Sequence, residues 1–322
     1  MRAALYDRYG ASSDVLRVED IERPEPGPGE VLVKIEYSGV NPTDWKSRGG
    51  STPRPIDGFQ VPHHDGAGVI DAVGDGVDAG RVGERVWTFM AAAGRPWGTA
   101  AQWSLVPAAR AVPLPDGISA ELGASLGVPA ITAHRCLFAD GPVAGKTILV
   151  AGGAGAVGHF AIELAKFSGA RVITTVSGAE KAELARKAGA DLVVNYREPS
   201  ASEEISSFGP VDRVIEVALG TNLQLDLAVL CPGGAIVAYA AEPADPVLPV
   251  RACMTANVIL RFVLLYGVPA DALQRAANDI TTALTSGALT ELPMHKFDLD
   301  DIAAAHDAVQ NGAVGKVLVA PA

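Results

Sequence analysis

The chain has 322 residues, of which 48% are hydrophobic and 20% charged. That is enough apolar material for two cores, and it excludes global disorder. A formal net charge of −11 argues against a general affinity for nucleic acid or for an anionic membrane surface.

The opening residues, MRAALYDRYG, lack the apolar core of a signal peptide, and no later run is apolar for long enough to cross a bilayer. Up to about residue 120 the chain reads as short strands and turns. PEPGPGE is a turn-rich approach to EVLVKIEYSGV, which alternates like a half-buried strand. HDGAGVIDAVG and GERVWTFM follow as further β segments. The texture then changes. ISAELGASLGVPAITAHRCLF reads as a helix with a break near Pro129. After it, β and α signals alternate: TILVAG, then AVGHFAIELAKFSG, ARVITTVS, AEKAELARKAG ended by Gly189, DLVVNY, DRVIEVA and GAIVAYA. This alternation predicts an α/β unit with a parallel sheet covered on both faces. The tail holds a helix in ADALQRAANDITTALTSG, a shorter one in LDDIAAAHDAVQNG and a last strand in GKVLVAP. Cys136, Cys231 and Cys253 are scattered and odd in number. A reduced, cytoplasmic compartment is therefore expected, with neither a disulfide framework nor a cysteine zinc site.

The chemistry-bearing motif is AGGAGAVG, residues 151–158. Gly153, Gly155 and Gly158 form G-x-G-x-x-G directly after a predicted strand and at the start of a predicted helix, the context in which the pattern means dinucleotide binding. The first glycine permits the turn, the second lets backbone approach a pyrophosphate, and the third lets helix and strand pack closely. The N–H groups of Ala156 and Val157 then face the anion. The end of the next strand separates the two pyridine nucleotides. An NAD site places an acidic residue there, whereas this chain has Ser177-Gly178 and no carboxylate between Glu163 and Glu180. Ser177, Lys181 and Tyr196 are expected to converge on a 2′-phosphate, with Arg197 a further candidate, which points to NADPH.

With these motifs in order, the sequence resembles the medium-chain dehydrogenase/reductase superfamily, and within it the zinc-free, zeta-crystallin-like NADPH:quinone oxidoreductases. GVNPTDWKSRGG (39–50), HDGAGVIDAVGDGV, LGVPAITAHRCL, the glycine segment, SGAEKAELARKAGADLVVNYRE and GKVLVAP carry the resemblance over nearly the whole chain. It implies a Rossmann-like doubly wound parallel sheet, residues 121–265, inserted into a chaperonin-10-like β-barrel catalytic domain made of residues 1–120 and 266–322. Nicotinamide and substrate would meet in the cleft between them. Matched positions imply that Asn41, Thr132, Val217, Ala240 and Ala241 lie near the nicotinamide. NVILRFVLL resembles the edge strand through which relatives form a homodimer, here near 257–265; an exposed apolar edge also invites pairing on physical grounds.

Zinc-dependent relatives have Cys where this chain has Asn41, a His-Glu pair where it has His64-Asp65, and Cys near Val128. Both thiolates are lost, and adjacent residues of a strand point to opposite faces, so no metal is expected. The implied reaction is hydride transfer from NADPH to a small-molecule quinone or conjugated carbonyl. The Asn41 amide and His64 would stabilise the growing oxyanion. The proton comes from His64 or from water, Asp44 acts as an orienting acceptor, and Trp45 forms an apolar wall for a flat substrate. HHDG departs from the pattern of the family. The alternatives are an enone or enoyl-thioester reductase, a zinc-type alcohol dehydrogenase, and a non-catalytic NADPH-binding protein.

Overall fold

The computed structural model describes residues 1–51 and 53–321. The chain forms two compact units: Met1–Val128 with Pro293–Ala322, and Pro129–Leu292. The boundaries differ from the expected 121–265 for a physical reason at each side. The helix Ala120–Phe138 runs on through residue 128. The helix Ala270–Thr285 buries Leu273, Ala276, Ala277, Ile280 and Leu284 in the second unit, where it packs against the helix Ala156–Phe167.

In the first unit, Arg2–Leu5 and Arg17–Asp20 pair as a small antiparallel sheet. A larger sheet runs in the order Met294–Asp298, Lys316–Ala320, Glu30–Val40, Asp65–Val73, Arg85–Thr88 and Ala111–Pro113, and Trp103–Pro107 also pairs with Glu30–Val40. Val31, Val33, Ile35, Ile70, Val86 and Val106 form one core beneath it. The C-terminal strand lies antiparallel to Glu30–Val40, with Val317 opposite Val40, and Gly39 is opposite Asp65. The register therefore brings Asn41, Asp65 and Lys316 to one end of three neighbouring strands, although they are far apart in sequence.

The second unit is a six-stranded parallel sheet, Leu192–Asn195, Arg171–Val176, Thr147–Ala151, Val211–Glu216, Leu230–Ala238 and Ile259–Phe262. Numbered from its own first strand, the order is 3-2-1-4-5-6, that of dinucleotide-binding sheets. All residues of Thr147–Ala151 are buried, as a parallel strand covered on both faces requires.

The break expected near Pro129 is absent from the helix as a secondary-structure element: Ala120–Phe138 is continuous. Val128, the residue before Pro129, directs its N–H to Asp65 Oδ1 at 2.8 Å. Among the described residues, no helix is long and apolar enough to cross a membrane.

Candidate functional site

The glycine loop joins the C-terminal end of Thr147–Ala151 to the helix Ala156–Phe167. Its left-handed residue is Gly152, at φ +73°, one position before the motif begins. Gly153 serves packing: a Cβ there would stand 2.1 Å from Thr174 Oγ1 and 2.9 Å from Ile162 Cδ1. At Gly158 a Cβ would stand 2.3 Å from the Gly152 carbonyl oxygen. These two glycines are required by the fold itself. Gly155 is different. It is exposed, and a Cβ there would meet only the Gly152 oxygen, at 3.4 Å. The space in front of its backbone is open.

Gly155 is also the N-cap of the helix and has no side-chain capping bond. The first intrahelical bond is His159 N–H to the Gly155 oxygen, 2.8 Å. The N–H groups of Ala156, Val157 and Gly158 therefore lie ahead of the helical ladder, as an anion site at a helix start needs. The loop stands between the strands Thr147–Ala151 and Val211–Glu216, where the strand order reverses and α/β sheets bind their ligands. Val217 lies beside it, its Cγ1 3.4 Å from a Cβ at Gly152. The donor set and the open cradle fit a dinucleotide pyrophosphate.

One strand away, Tyr196 N–H donates to the Val176 oxygen at 3.2 Å, which brings Tyr196 alongside Ser177. Arg197 lies 5.9 Å over the Tyr196 ring. Lys181 is in the first turn of the helix Ala179–Lys187, whose N-cap, Gly178, has no side-chain bond. A cation there opposes the helix dipole, and no carboxylate pairs with Lys181 among the described residues. A bound phosphate would satisfy both. Glu180 is in the same turn but is exposed. Thr132 is buried on the helix Ala120–Phe138, Ala240 is half-buried, and Ala241 is exposed beyond the strand Leu230–Ala238.

The first unit holds a buried polar cluster. Asn41 Nδ2 donates to Asp65 Oδ2 at 2.6 Å, and Lys316 Nζ donates to Asn41 Oδ1 at 2.7 Å. Lys316 Nζ is also 3.7 Å from Asp65 Oδ2. Asn41 N–H donates to Asp44 Oδ2 at 2.7 Å, which closes the start of the short helix Pro42–Arg48. Burial drives the Asp44 carboxyl well above the ordinary carboxylate range, and the neighbouring Asp65 adds to the effect. Burial also raises the Asp65 carboxyl and lowers the Lys316 ammonium, each opposed by the attraction between the two. Trp45 is half-buried, with Lys46 Nζ 5.7 Å from its ring.

The neighbours His64 and Asp65 occupy different surroundings. His64 is buried, and burial, with Arg54 and Arg110 adding, pushes its pKa down to about 3. Its ring is uncharged at neutral pH. His63 takes the left-handed φ of +76°. Its Nδ1 lies 2.8 Å from Ser38 Oγ and its Nε2 3.0 Å from His306 Nε2. Thr99 Oγ1–H is committed to the Asp65 carbonyl at 2.5 Å. The direction of the chain follows: Ser38 donates to Thr99, His63 Nδ1–H to Ser38, and His306 Nε2–H to His63. Both imidazoles are neutral, and burial holds both pKa values down.

Sequence reasoning named Asn41, Asp44, His64 and Asp65 but passed over Lys316, His306 and the buried pair Glu216 and Asp226. A lysine beginning an otherwise apolar strand, GKVLVAP, is a readable signal. The other three sit in helical or strand patterns with no motif of their own.

Comparison with known proteins agrees with this architecture. Residues 27–116 match the alcohol dehydrogenase GroES-like domain, and residues 156–281 match the zinc-binding dehydrogenase domain. A GroES-like segment followed by a parallel nucleotide-binding sheet defines the medium-chain dehydrogenases/reductases. The rat (Rattus norvegicus) quinone oxidoreductase is 30% identical over 99% of this chain and 97% of its own. A mycobacterial protein solved in complex with NADPH is 32% identical, with full coverage of both chains and a TM-score of 0.87. The Pseudomonas syringae quinone oxidoreductase is 27% identical over 99% of each chain, with a TM-score of 0.86. The chain belongs to the quinone oxidoreductase family of that superfamily.

Proposed function

We propose that this protein is an NADPH-dependent oxidoreductase that reduces a quinone or conjugated carbonyl without a bound metal, and that it works as a cytoplasmic homodimer. The observation that carries the reading is the pairing of an open, uncapped helix start at Gly155 with a strand end that lacks a carboxylate and a Lys181 with no carboxylate partner among the described residues. NADPH supplies the hydride when bound. Gly153, Gly155, Ala156, Val157 and Gly158 form the pyrophosphate cradle, and Ser177, Lys181 and Tyr196 hold the 2′-phosphate. Thr132, Val217, Ala240 and Ala241 receive the nicotinamide end on the second unit.

Among the described residues Asn41 has one Nδ2–H left after its bond to Asp65, and this donor stabilises charge on the acceptor oxygen. Asp44 fixes the Asn41 backbone. Trp45 and the uncharged His64 ring contribute to the substrate wall. With its pKa near 3, His64 carries no ionisable proton to give at neutral pH, so water supplies the proton. The metal-free reading is supported by Lys316, whose ammonium already engages the Asn41 carbonyl and the Asp65 carboxylate.

The test is titration with NADPH and NADH, followed by turnover with benzoquinones and 2-alkenals in the presence of EDTA. Tighter NADPH binding and EDTA-insensitive quinone reduction are expected. Tighter NADH binding, or loss of turnover on chelation, would refute the reading.

A further inference from the structure

We infer that Lys316 is a positioning residue that sets which way round the Asn41 amide sits, and so makes Asn41 a donor. The inference rests on the reading of Asn41 given above and extends it to a residue at the opposite end of the chain.

A carboxamide has two ends of nearly equal size and opposite polarity. Left alone, either orientation fills the same space. Here the two ends face partners that cannot exchange roles. An ammonium only donates and a carboxylate only accepts. Lys316 Nζ lies 2.7 Å from Asn41 Oδ1, and Asp65 Oδ2 lies 2.6 Å from Asn41 Nδ2. Turning the amide over would set NH₂ against ammonium and C=O against carboxylate. Asn41 and Lys316 are each 2% exposed and Asp65 is fully buried, so water screens neither repulsion. The orientation that remains leaves one N–H of Nδ2 without a partner among the described residues.

The surrounding backbone is cut to fit this arrangement. Gly39, opposite Asp65 in the sheet, leaves room for the lysine stem: a Cβ there would stand 3.1 Å from Lys316 Cε and 2.1 Å from the Ala124 oxygen. Gly127 leaves room for the carboxylate, since its Cβ would stand 2.1 Å from Asp65 Oδ1. That same oxygen accepts the Val128 N–H. Two close approaches at glycine, one helix N–H turned aside and one lysine buried in a strand all serve the same few atoms. Burying an ammonium is costly unless it is paired. Simple packing would be served as well by an apolar residue at the head of that strand.

The test is a double-mutant cycle in the NADPH-dependent reduction of a benzoquinone, with Lys316→Met, Asn41→Ala and both together. Lys316→Met is expected to lower kcat by at least about tenfold, the equivalent of about 1.4 kcal/mol in the barrier. NADPH affinity, read by fluorescence, should change by less than about threefold, since the pyrophosphate and 2′-phosphate contacts remain. In the Asn41→Ala background the same change should have no further effect on kcat, because the group through which Lys316 acts is gone. Additive losses in the cycle, or unchanged kcat in Lys316→Met, would overturn the assignment.

Removal of the ammonium also strands a buried carboxylate, so Lys316→Met could fail to fold. The charge-balanced pair Lys316→Met with Asp65→Asn removes that cost and leaves the amide free to turn; it should show the same loss of kcat with a native circular-dichroism spectrum. Full activity in that folded pair would refute the role of Lys316. A wild-type protein that binds NADPH but reduces no acceptor would instead refute the proposed reaction.

Discussion

At the scale of single residues, cofactor choice rests on what is missing as much as on what is present. The strand Arg171–Val176 ends without a carboxylate, and Lys181 stands in a helix first turn where its charge has no partner among the described residues. Such a charge gains only when an anion is bound. Exposed ion pairs are commonly worth less than about 1 kcal/mol, whereas a charge-assisted contact to phosphate is stronger. Lys181→Ala is therefore expected to weaken NADPH binding about tenfold or more and to leave NADH binding within about twofold, with the melting temperature unchanged. Isothermal titration with both nucleotides decides it, and equal losses would remove Lys181 from the phosphate site.

At the scale of elements, the strand Val211–Glu216 and the helix Leu219–Val229 meet in a buried carboxyl pair. Glu216 accepts from Ala218 N–H and, at 3.0 Å, from Asn222 Nδ2. Its Oε2 and Asp226 Oδ2 are both buried without a hydrogen-bond partner among the described residues, a situation that favours a shared proton over two charges. Burial, reinforced by Glu216, pushes the Asp226 pKa up to about 9. An unfolded aspartate titrates near about 3.9. Between those values the folded chain holds a proton that the unfolded chain has lost. The contribution to stability is therefore complete below about pH 4 and falls by about 1.4 kcal/mol per unit as pH rises towards 9. Asp226→Asn carries a permanent neutral donor at the same place. Urea denaturation from pH 6 to 9 should show the wild type losing stability more steeply than Asp226→Asn, and parallel curves would mean that no proton is shared.

The same elements show how far sequence reading reaches. Strand and helix alternation after residue 140 was legible because each parallel strand is a short apolar run and each bend carries glycine. The glycine motif was legible as a motif, but its division of labour was not. That the left-handed turn is at Gly152, and that Gly153 yields space to Thr174, depends on a neighbouring strand. Asn41 and Asp44 could be found from their local spacing. Lys316 could not be assigned to them, since only the antiparallel register of Lys316–Ala320 on Glu30–Val40 brings the two ends of the chain together. The continuity of the helix through Pro129 was not legible, because a proline in a sequence marks a probable helix boundary and only the tertiary structure overrides it.

At the scale of the whole molecule, the parallel sheet ends on a strand that invites a second copy. Ile259–Phe262 pairs with Leu230–Ala238 on one side and is the last in its sheet. Ile259 is 51% exposed and Phe262 68%, with Met254 at 72% and Leu264 at 69% nearby. Natural edge strands are commonly protected by charge, proline or a covering segment. The charge in this one, Arg261, is turned back onto Asp140 of its own chain, 3.0 Å from Nε to Oδ2. The edge is thus left apolar and unpaired, and antiparallel pairing with its own copy would continue the sheet across a two-fold axis. Ile259→Lys with Phe262→Lys places charge on residues that are exposed in the single chain, so the monomer's core is untouched. In sedimentation velocity at micromolar concentration the wild type should run at twice the chain mass of 33.1 kDa and the double variant at 33.1 kDa, with circular dichroism unchanged. A wild type that sediments as a monomer, or a variant that stays dimeric, would show that this edge does not join the copies.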